Sequence, residues 1–476
     1  VKPEIPTFVV TGQPNEGKTS VMSTFTEDDT ARIEPLPGTT TEARRYAIRV
    51  DDREVLSFYD TPGFQQPGAV LDWFRETGAG MPNPALAFVE EFRNTKRFPD
   101  ESEIFRPIAE GAAIVHVVDA TRPVREVDRQ EIEILRLCGN PRIALINLKS
   151  EEDAFVDAWQ NLLSRDFNLR RKFHPHRSTF ADRMALLEAI KLVIQDWEPE
   201  IERTRQALLE DRKRRTREAA DEVLDFLRAA VGMRERELLT ASANAQELAP
   251  RLKRRLEERL REMEQKFREK QRRLFRHSGE RWTQPEPLEA DVFSKEVWRL
   301  FGLSQQQLAL AGAVMGGATG GAVDLLVGGT SLAAFALGGA VIGGAAAWFG
   351  AEQAVKVDLP DVQLGPVRLG TRKLGGRHAE ARVDVRSNLP WILLDRALLY
   401  TEVCMTWAHG RRETNVPLRR TSNAKAGVAS ALSRAERKEV ASFFADASKG
   451  NTDGATEHER EVRRCLIDLL EQVDRS

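Results

Sequence analysis

The chain has 476 residues, and its 71 Lys and Arg against 73 Asp and Glu leave a net charge of -2, so no bulk field favours nucleic acid. Cys138, Cys404 and Cys465 lie far apart with no C-x-x-C, which argues for a reducing compartment and against disulfides or a zinc site. The length predicts roughly two to four domains. The opening Val1-Lys2-Pro3-Glu4 lacks the apolar run of a signal peptide, so the cytoplasm is expected.

In chain order, the short apolar run Phe8-Val9-Val10 predicts a strand, and Ser20 to Phe25 can form a helix. Between them stands Gly12-Gln13-Pro14-Asn15-Glu16-Gly17-Lys18-Thr19, the G-x-x-x-x-G-K-[ST] pattern in the strand-to-helix context that makes it a phosphate-binding loop. Glycines let successive N–H groups face one anion, and the helix N-terminus adds a positive dipole end. Lys18 can reach the outer phosphates, and the Thr19 hydroxyl can bind Mg²⁺.

A polar stretch, Thr26 to Thr41, precedes two alternating runs, Arg45 to Val50 and Glu54 to Tyr59, around Asp51-Asp52-Arg53, a hairpin signal. The second run ends in Asp60-Thr61-Pro62-Gly63. Its carboxylate is placed to join the magnesium shell opposite the loop. Helical segments around Ala85–Arg93 and Glu101–Ala109 make an insertion longer than a minimal nucleotide-binding domain needs. Apolar runs Ala112 to Val118, Arg142 to Ile146 and Leu169 to Phe173 complete the expected sheet. The alternation implies a doubly wound, mostly parallel α/β domain with ligand loops at the C-terminal strand ends.

From about Trp197 the composition turns to mixed charge. Leu252, Leu256, Leu260, Met263, Phe267 and Leu274 form one apolar stripe, Val223, Leu227 and Val231 another, and Asn244 to Pro250 reads as the break between two helices. An antiparallel stalk or coiled-coil hairpin is expected, with Arg212-Lys213-Arg214-Arg215 and Arg272-Arg273 on a solvated face. Leu308 to Gly350 holds one charged residue, Asp324, with Gly312, Gly316 and Gly320 at small-xxx-small spacing. Leu332 to Phe349 is uncharged and, at about 1.5 Å per residue, nearly long enough for a bilayer core. Flanking Lys and Arg complete the reading of a Gly-rich apolar helical hairpin that inserts in or associates with the inner membrane from the cytoplasmic side. A Gly/Ala-rich hairpin buried in a soluble bundle is the alternative, which Asp324 supports. Beyond it come an extended part (Val362 to Val385), a segment Asn388–Ala397 that leads into a helix reaching about His409, and two helices near Ser433–Ala447 and Glu457–Val473. The expected organisation is therefore 1–197, 198–300, 301–352 and 353–476: nucleotide-binding domain, charged helical stalk, Gly-rich hairpin, and a mostly helical C-terminal domain.

The loop Gly12–Thr19, Pro37-Gly38-Thr39-Thr40 and Asp60-Thr61-Pro62-Gly63 together resemble the first three motifs of Era-like GTPases of the translation-factor-related class. The order of parts along nearly the whole chain resembles a bacterial family in which such a GTPase precedes a domain of unknown function, DUF3482. The resemblance implies an enzyme that binds GTP and GDP with Mg²⁺ and hydrolyses GTP slowly. Thr40 would bind the metal and sense the γ-phosphate, Asp60 would hold the metal through water, and Gly63 would sense the γ-phosphate through its N–H. Phe64 stands where small GTPases carry a water-orienting glutamine, so the subgroup with a hydrophobic replacement is implied. In several relatives the asparagine equivalent to Asn15 coordinates K⁺, although asparagine also serves simply as a turn residue. Ser20 would complete the loop's phosphate contacts, and Asn147 and Lys149 would serve the base. The fourth motif departs from Asn-Lys-x-Asp, reading Asn147-Leu148-Lys149-Ser150, and a serine cannot make the paired carboxylate contact to guanine. Partners implied are GTP, an inner-membrane lipid or membrane protein, and a second copy or another protein; nucleic acid is read as unlikely. The rival function is a cytosolic assembly or interaction factor related to RNA or the ribosome, with the hairpin buried.

Overall fold

The structure is a computed structural model. It describes residues 3–14, 16–26, 43–50, 53–148, 154–174, 178–239, 245–277, 286–304, 307, 362–373, 377–407, 427–450 and 457–475.

The first strand, β1 (Thr7–Thr11), is buried along its whole length because it lies inside a six-stranded sheet. Its neighbours are β2 (Arg44–Val50), β3 (Arg53–Asp60), β4 (Ala113–Asp119), β5 (Arg142–Asn147) and β6 (Leu169–Phe173), in the order β2-β3-β1-β4-β5-β6. The β2–β3 hairpin pairs antiparallel at one edge, and the remaining pairs are parallel. Alternation sends Phe8 and Val10 to one face and Val9 to the other. The first face is covered by α1 (Lys18–Thr26), α7 (Phe180–Val193) and the first part of α8 (Glu198–Val231). The second carries α2 (Pro67–Glu76), α3 (Pro84–Phe92), α4 (Pro99–Ala109), α5 (Glu126–Leu137) and α6 (Val156–Leu163). Helices on both faces of a mostly parallel sheet leave the C-terminal strand ends as the ligand edge. Pairing of Val10 with Asp60, Thr11 with His116 and Asp119 with Asn147 gathers those residues there.

The rest of the described chain contains β7 (Arg234–Leu238), α9 (Ala245–Leu274), α10 (Glu286–Glu289), α11 (Lys295–Leu300), β8 (Val362–Leu364), β9 (Val367–Lys373) and β10 (Arg377–Val383). Three helices follow, which we number α12 (Leu389–Thr406), α13 (Arg434–Lys449) and α14 (Glu457–Arg475). The four strands form an antiparallel sheet in the order β7-β10-β9-β8, and the helices close over it around a core containing Trp391, Tyr400, Phe443 and Phe444.

This body corrects the expectation of a free coiled-coil stalk. Helices α8 and α9 do run antiparallel, with Phe226 stacked on Phe267 at 4.9 Å and Gln271 donating to the Ala219 carbonyl at 3.2 Å. Their apolar stripes do not end in each other, however. Leu252, Leu256 and Leu260 are fully buried in the same cluster as α12 and the second sheet. Strand β7 occupies the connection, and α9 begins inside the expected break, with Pro250 in the helix. The reading of 212–215 as a solvated face also fails for two residues. Arg212 is buried between the rings of Phe180 and Phe275, and Arg215 is paired with the buried Asp211 at 2.7 Å.

The expectation of a membrane-associated Gly-rich hairpin, and with it a glycine zipper, a membrane partner and an address at the inner membrane, is likewise corrected. Among the described residues no helix is long and apolar enough to cross a membrane. The apolar helix α12 carries Asp395, Arg396 and Glu402 and is buried in protein. The segment on which the expectation rested, Leu308 to Gly350, lies outside the described residues.

Candidate functional site

At the end of β1 the chain turns through Gly12 and Gly17, whose φ values of +139° and +98° suit glycine alone. A Cβ on Gly17 would also come within 2.3 Å of Asn147 Nδ2, so the loop closes directly against the end of β5. Lys18 opens α1 and folds back over the loop, donating to the carbonyls of Gly12 at 2.9 Å and Gln13 at 3.1 Å. Burial lowers its pKa, opposed by Asp60, Glu16 and Glu131. Thr19 Oγ1 donates to Asp60 Oδ2 at 3.1 Å, bringing the two expected magnesium residues together between the first turn of α1 and the end of β3. The other carboxylate oxygen of Asp60 is buried and has no hydrogen-bond partner among the described residues. Burial raises the Asp60 pKa, with Lys18, Thr19 and Arg44 opposing. An orphaned acceptor beside a threonine hydroxyl fits a hydrated Mg²⁺, whose chemistry here is to neutralise phosphate charge.

Pro14 lies against Gly63, where a Cβ would meet Pro14 Cδ at 2.6 Å, and Ser20 is buried in α1. Asn147 donates from Nδ2 to the Glu16 carbonyl at 2.6 Å, and its buried Oδ1 has no described partner. The expected base-motif asparagine therefore holds the loop. Asn15, Thr40, Lys149 and Ser150 lie outside the described residues.

Sequence reasoning missed a layer of charge beneath the loop. Glu16 is 3% exposed, and its Oε2 accepts from the Gln13 amide at 2.8 Å. Its Oε1 accepts from the guanidinium of Arg122, which also grips Asp128 at 2.8 and 2.9 Å. Burial raises the Glu16 pKa, while Arg122, the Gln13 amide and Lys18 oppose the rise. Gln13 Nε2 donates to the buried Glu131, whose pKa burial, Glu16 and Asp128 push well up. His116 on β4 is buried, with Nδ1 3.1 Å from Thr11 Oγ1. One signal for this layer is present in the sequence: an acid inside a phosphate loop demands a counter-cation. A second missed contact is Glu101 on α4, which accepts from the amides of Gln65 and Gln66 at 2.9 and 2.8 Å, directly after Phe64. The insertion helices thus hold the segment that follows Asp60–Gly63.

A family model described as 50S ribosome-binding GTPase matches residues 7–148, and one described as a domain of unknown function, DUF3482, matches residues 160–472. No protein of curated function matches the chain. Among solved structures, Era in complex with MgGDPNP and a 16S ribosomal RNA segment is 18% identical, covering 40% of this chain and 56% of its own, with a TM-score of 0.29. Era from Aquifex aeolicus with GDP and AlF4⁻ is 17% identical over 40% of this chain and 57% of its own, also at 0.29. A bacterial selenocysteine-specific elongation factor is 18% identical over 41% and 29%, at 0.26. The chain thus spans little more than half the length of the Era structures. The expectation that nucleic acid is an unlikely partner is withdrawn, since the family model over residues 7–148 is described as ribosome-binding. The N-terminal part is a P-loop GTPase domain, fused to a DUF3482 region, and by the latter match, over more than half its length, the chain belongs to the DUF3482 family.

Proposed function

We propose that the chain is a guanine-nucleotide switch that hydrolyses GTP and whose state governs an assembly or interaction role of the DUF3482 region. One observation carries the nucleotide reading: Lys18 folded over the Gly12–Gly17 turn, beside Thr19 and an Asp60 carboxylate with one unused buried oxygen. In this reading Lys18 and the loop amides of residues 12–20 bind the phosphates, and Thr19, Thr40 and Asp60 hold Mg²⁺. Gly63 senses the γ-phosphate, and Asn147 and Lys149 serve the base side. Phe64 replaces the water-orienting glutamine, so slow turnover follows, with K⁺ held by Asn15 as the assisting charge.

The interaction reading is supported by α8. Ile201 and Leu208 belong to the core of the nucleotide-binding sheet, whereas Val223, Leu227 and Val231 belong to the core around α12. Thr204 Oγ1 donates to the Val55 carbonyl at 2.9 Å, on the strand that ends at Asp60. A shift of β3 on γ-phosphate loss would therefore act on a helix built into the DUF3482 region.

Titration of the full chain with labelled GTP, GDP and ATP in Mg²⁺ tests this, with turnover compared in K⁺ and Na⁺. GTP and GDP should bind far more tightly than ATP, and Lys18→Ala should abolish binding. Equal affinity for ATP would remove the guanine reading, and normal turnover by Lys18→Ala would remove the site. Equal rates in the two salts would discard K⁺.

A further inference from the structure

A phosphate-binding loop works by positive potential, yet this one carries a carboxylate at Glu16, two residues before Lys18. The side chain does not escape to water. It folds back toward Gly12, where a Cβ would lie 2.8 Å from Oε2, and takes up the Gln13 amide. Its other oxygen receives Arg122. That arginine is itself fixed from two further sides: Asp128 accepts both ends of the guanidinium, and the Trp159 ring lies 5.3 Å from it. The Trp159 indole also donates to the Arg122 carbonyl at 2.9 Å. Asp128 in turn accepts from the Arg125 amide at 2.7 Å and from the Arg125 side chain. The fully buried Trp159 comes from α6, so three separate segments of chain converge on one guanidinium.

We infer that Glu16 and Arg122 form a charge-compensating brace, in which Arg122 is a positioning residue that makes the phosphate loop fit for an anion by cancelling Glu16 and fixing its backbone. This inference rests on the nucleotide-binding reading of the loop. The surrounding charges sharpen it. Among the described residues, Glu131, Asp128 and Asp60 are further carboxylates near the loop; Lys18 and Arg122 are the cations that act on Glu16, while Arg125 bonds Asp128 and Arg44 acts on Asp60. Without Arg122, the buried carboxylate of Glu16 would lose its largest counter-charge and keep only the Gln13 amide and Lys18 against it beside the phosphates. A buried charged hydrogen bond that loses one partner leaves the other charge stranded, which is the larger part of the damage.

The test is the affinity of a fluorescent GDP analogue with Mg²⁺ for the full chain and four variants. Arg122→Met should weaken binding at least about tenfold relative to Glu16→Gln, because the stranded carboxylate repels phosphate. The double variant Arg122→Met/Glu16→Gln should recover the affinity of Glu16→Gln alone, a rescue that a merely structural loss would not show. Arg122→Lys, which keeps the charge without the two-pronged grip, should retain more affinity than Arg122→Met, and it carries the test if Arg122→Met does not fold. Hydrogen exchange at the Gln13 to Lys18 amides, with no nucleotide present, reads the brace independently. It should speed up at least about tenfold in Arg122→Met and slow again in the double variant. If the wild-type chain binds nucleotide while Arg122→Met binds equally well, or the double variant gives no rescue, the inference falls. If the exchange pattern appears but the wild-type chain binds no nucleotide, the brace stands as architecture and the nucleotide reading falls.

Discussion

Lowering the pH from about 7.5 to about 5.0 should weaken the nucleotide-binding sheet through one buried imidazole. His116 is 1% exposed, stacked on Phe167 with ring centroids 5.7 Å apart. Burial pushes its pKa from 6.5 down to about 3, with Lys18 and Arg122 acting in the same direction and Asp128 opposing. The folded chain therefore keeps His116 neutral across this window, whereas the unfolded chain takes up a proton below about pH 6.5. The contribution is fully present above that value and is lost progressively as the pH falls toward the folded value. At about pH 5.0 the unfolded imidazole lies about 1.5 pH units below its pKa, which at about 1.36 kcal/mol per unit costs about 2 kcal/mol. The same figure follows for any folded value below about 4, so it does not depend on the depth of the shift. Urea unfolding at the two pH values, followed by tryptophan fluorescence, should show this loss in the wild type. His116→Asn, whose amide can still reach Thr11, should lose about 2 kcal/mol less between the same two pH values. An identical pH dependence in both proteins would refute the reasoning, because the difference between them isolates the imidazole from Glu16, Glu131 and the other titrating groups.

Two further expectations concern the loop and the second core. Gly17→Ala places a Cβ on Asn147 at a φ of +98°, so strain of about 1–3 kcal/mol should weaken GDP binding about 5- to 150-fold in a direct titration. Unchanged affinity would mean that the loop does not close on Asn147 as described. Glu264→Ala removes the carboxylate shared by Arg396, which is 3% exposed and bonded to it at 2.7 Å, and Arg268, bonded at 2.6 Å, and should cost about 3–5 kcal/mol in denaturant melts. Glu264→Leu/Arg396→Leu should recover the part due to Arg396, with Arg268 still lacking its carboxylate, and a double variant as unstable as the single would count against burial of the Arg396 charge as the cause.

What the sequence could reveal depended on how local the determinants were. The strands of the first sheet read directly from short apolar runs, and the loop from Gly12, Gly17 and Lys18, because glycine spacing and strand burial leave their mark on consecutive residues. Strand β7 left no such mark. Its Arg-Glu-Arg-Glu-Leu carries charge on both faces, and pairing with β10 is supported by contacts such as Arg236 to Glu380 at 2.7 Å. Charged alternation in one strand looks like loop until its partner, about 140 residues later, supplies the opposite charges. The stripes of α8 and α9 were legible as apolar faces, but a stripe does not say what covers it, and α12 did. Arg122, Asp128, Glu131 and His116 were invisible for the same reason: buried polar groups that satisfy one another have the composition of a surface.

Helix α8 has a consequence for how the protein can be divided. It is one uninterrupted run of 34 residues, and its N-terminal end supplies Ile201 and Leu208 to the sheet that carries the phosphate loop. The region matched by the DUF3482 family reaches back to residue 160, taking in β6 and α7 of that same sheet. A cut made where the nucleotide-binding fold formally stops would strip the cover from Phe8 and Phe58, while a cut made where the family match begins would remove an edge strand. The two halves are interleaved rather than strung together. Any excised fragment keeps an open wound on one side or the other, and selection on either half acts on a helix that both must share.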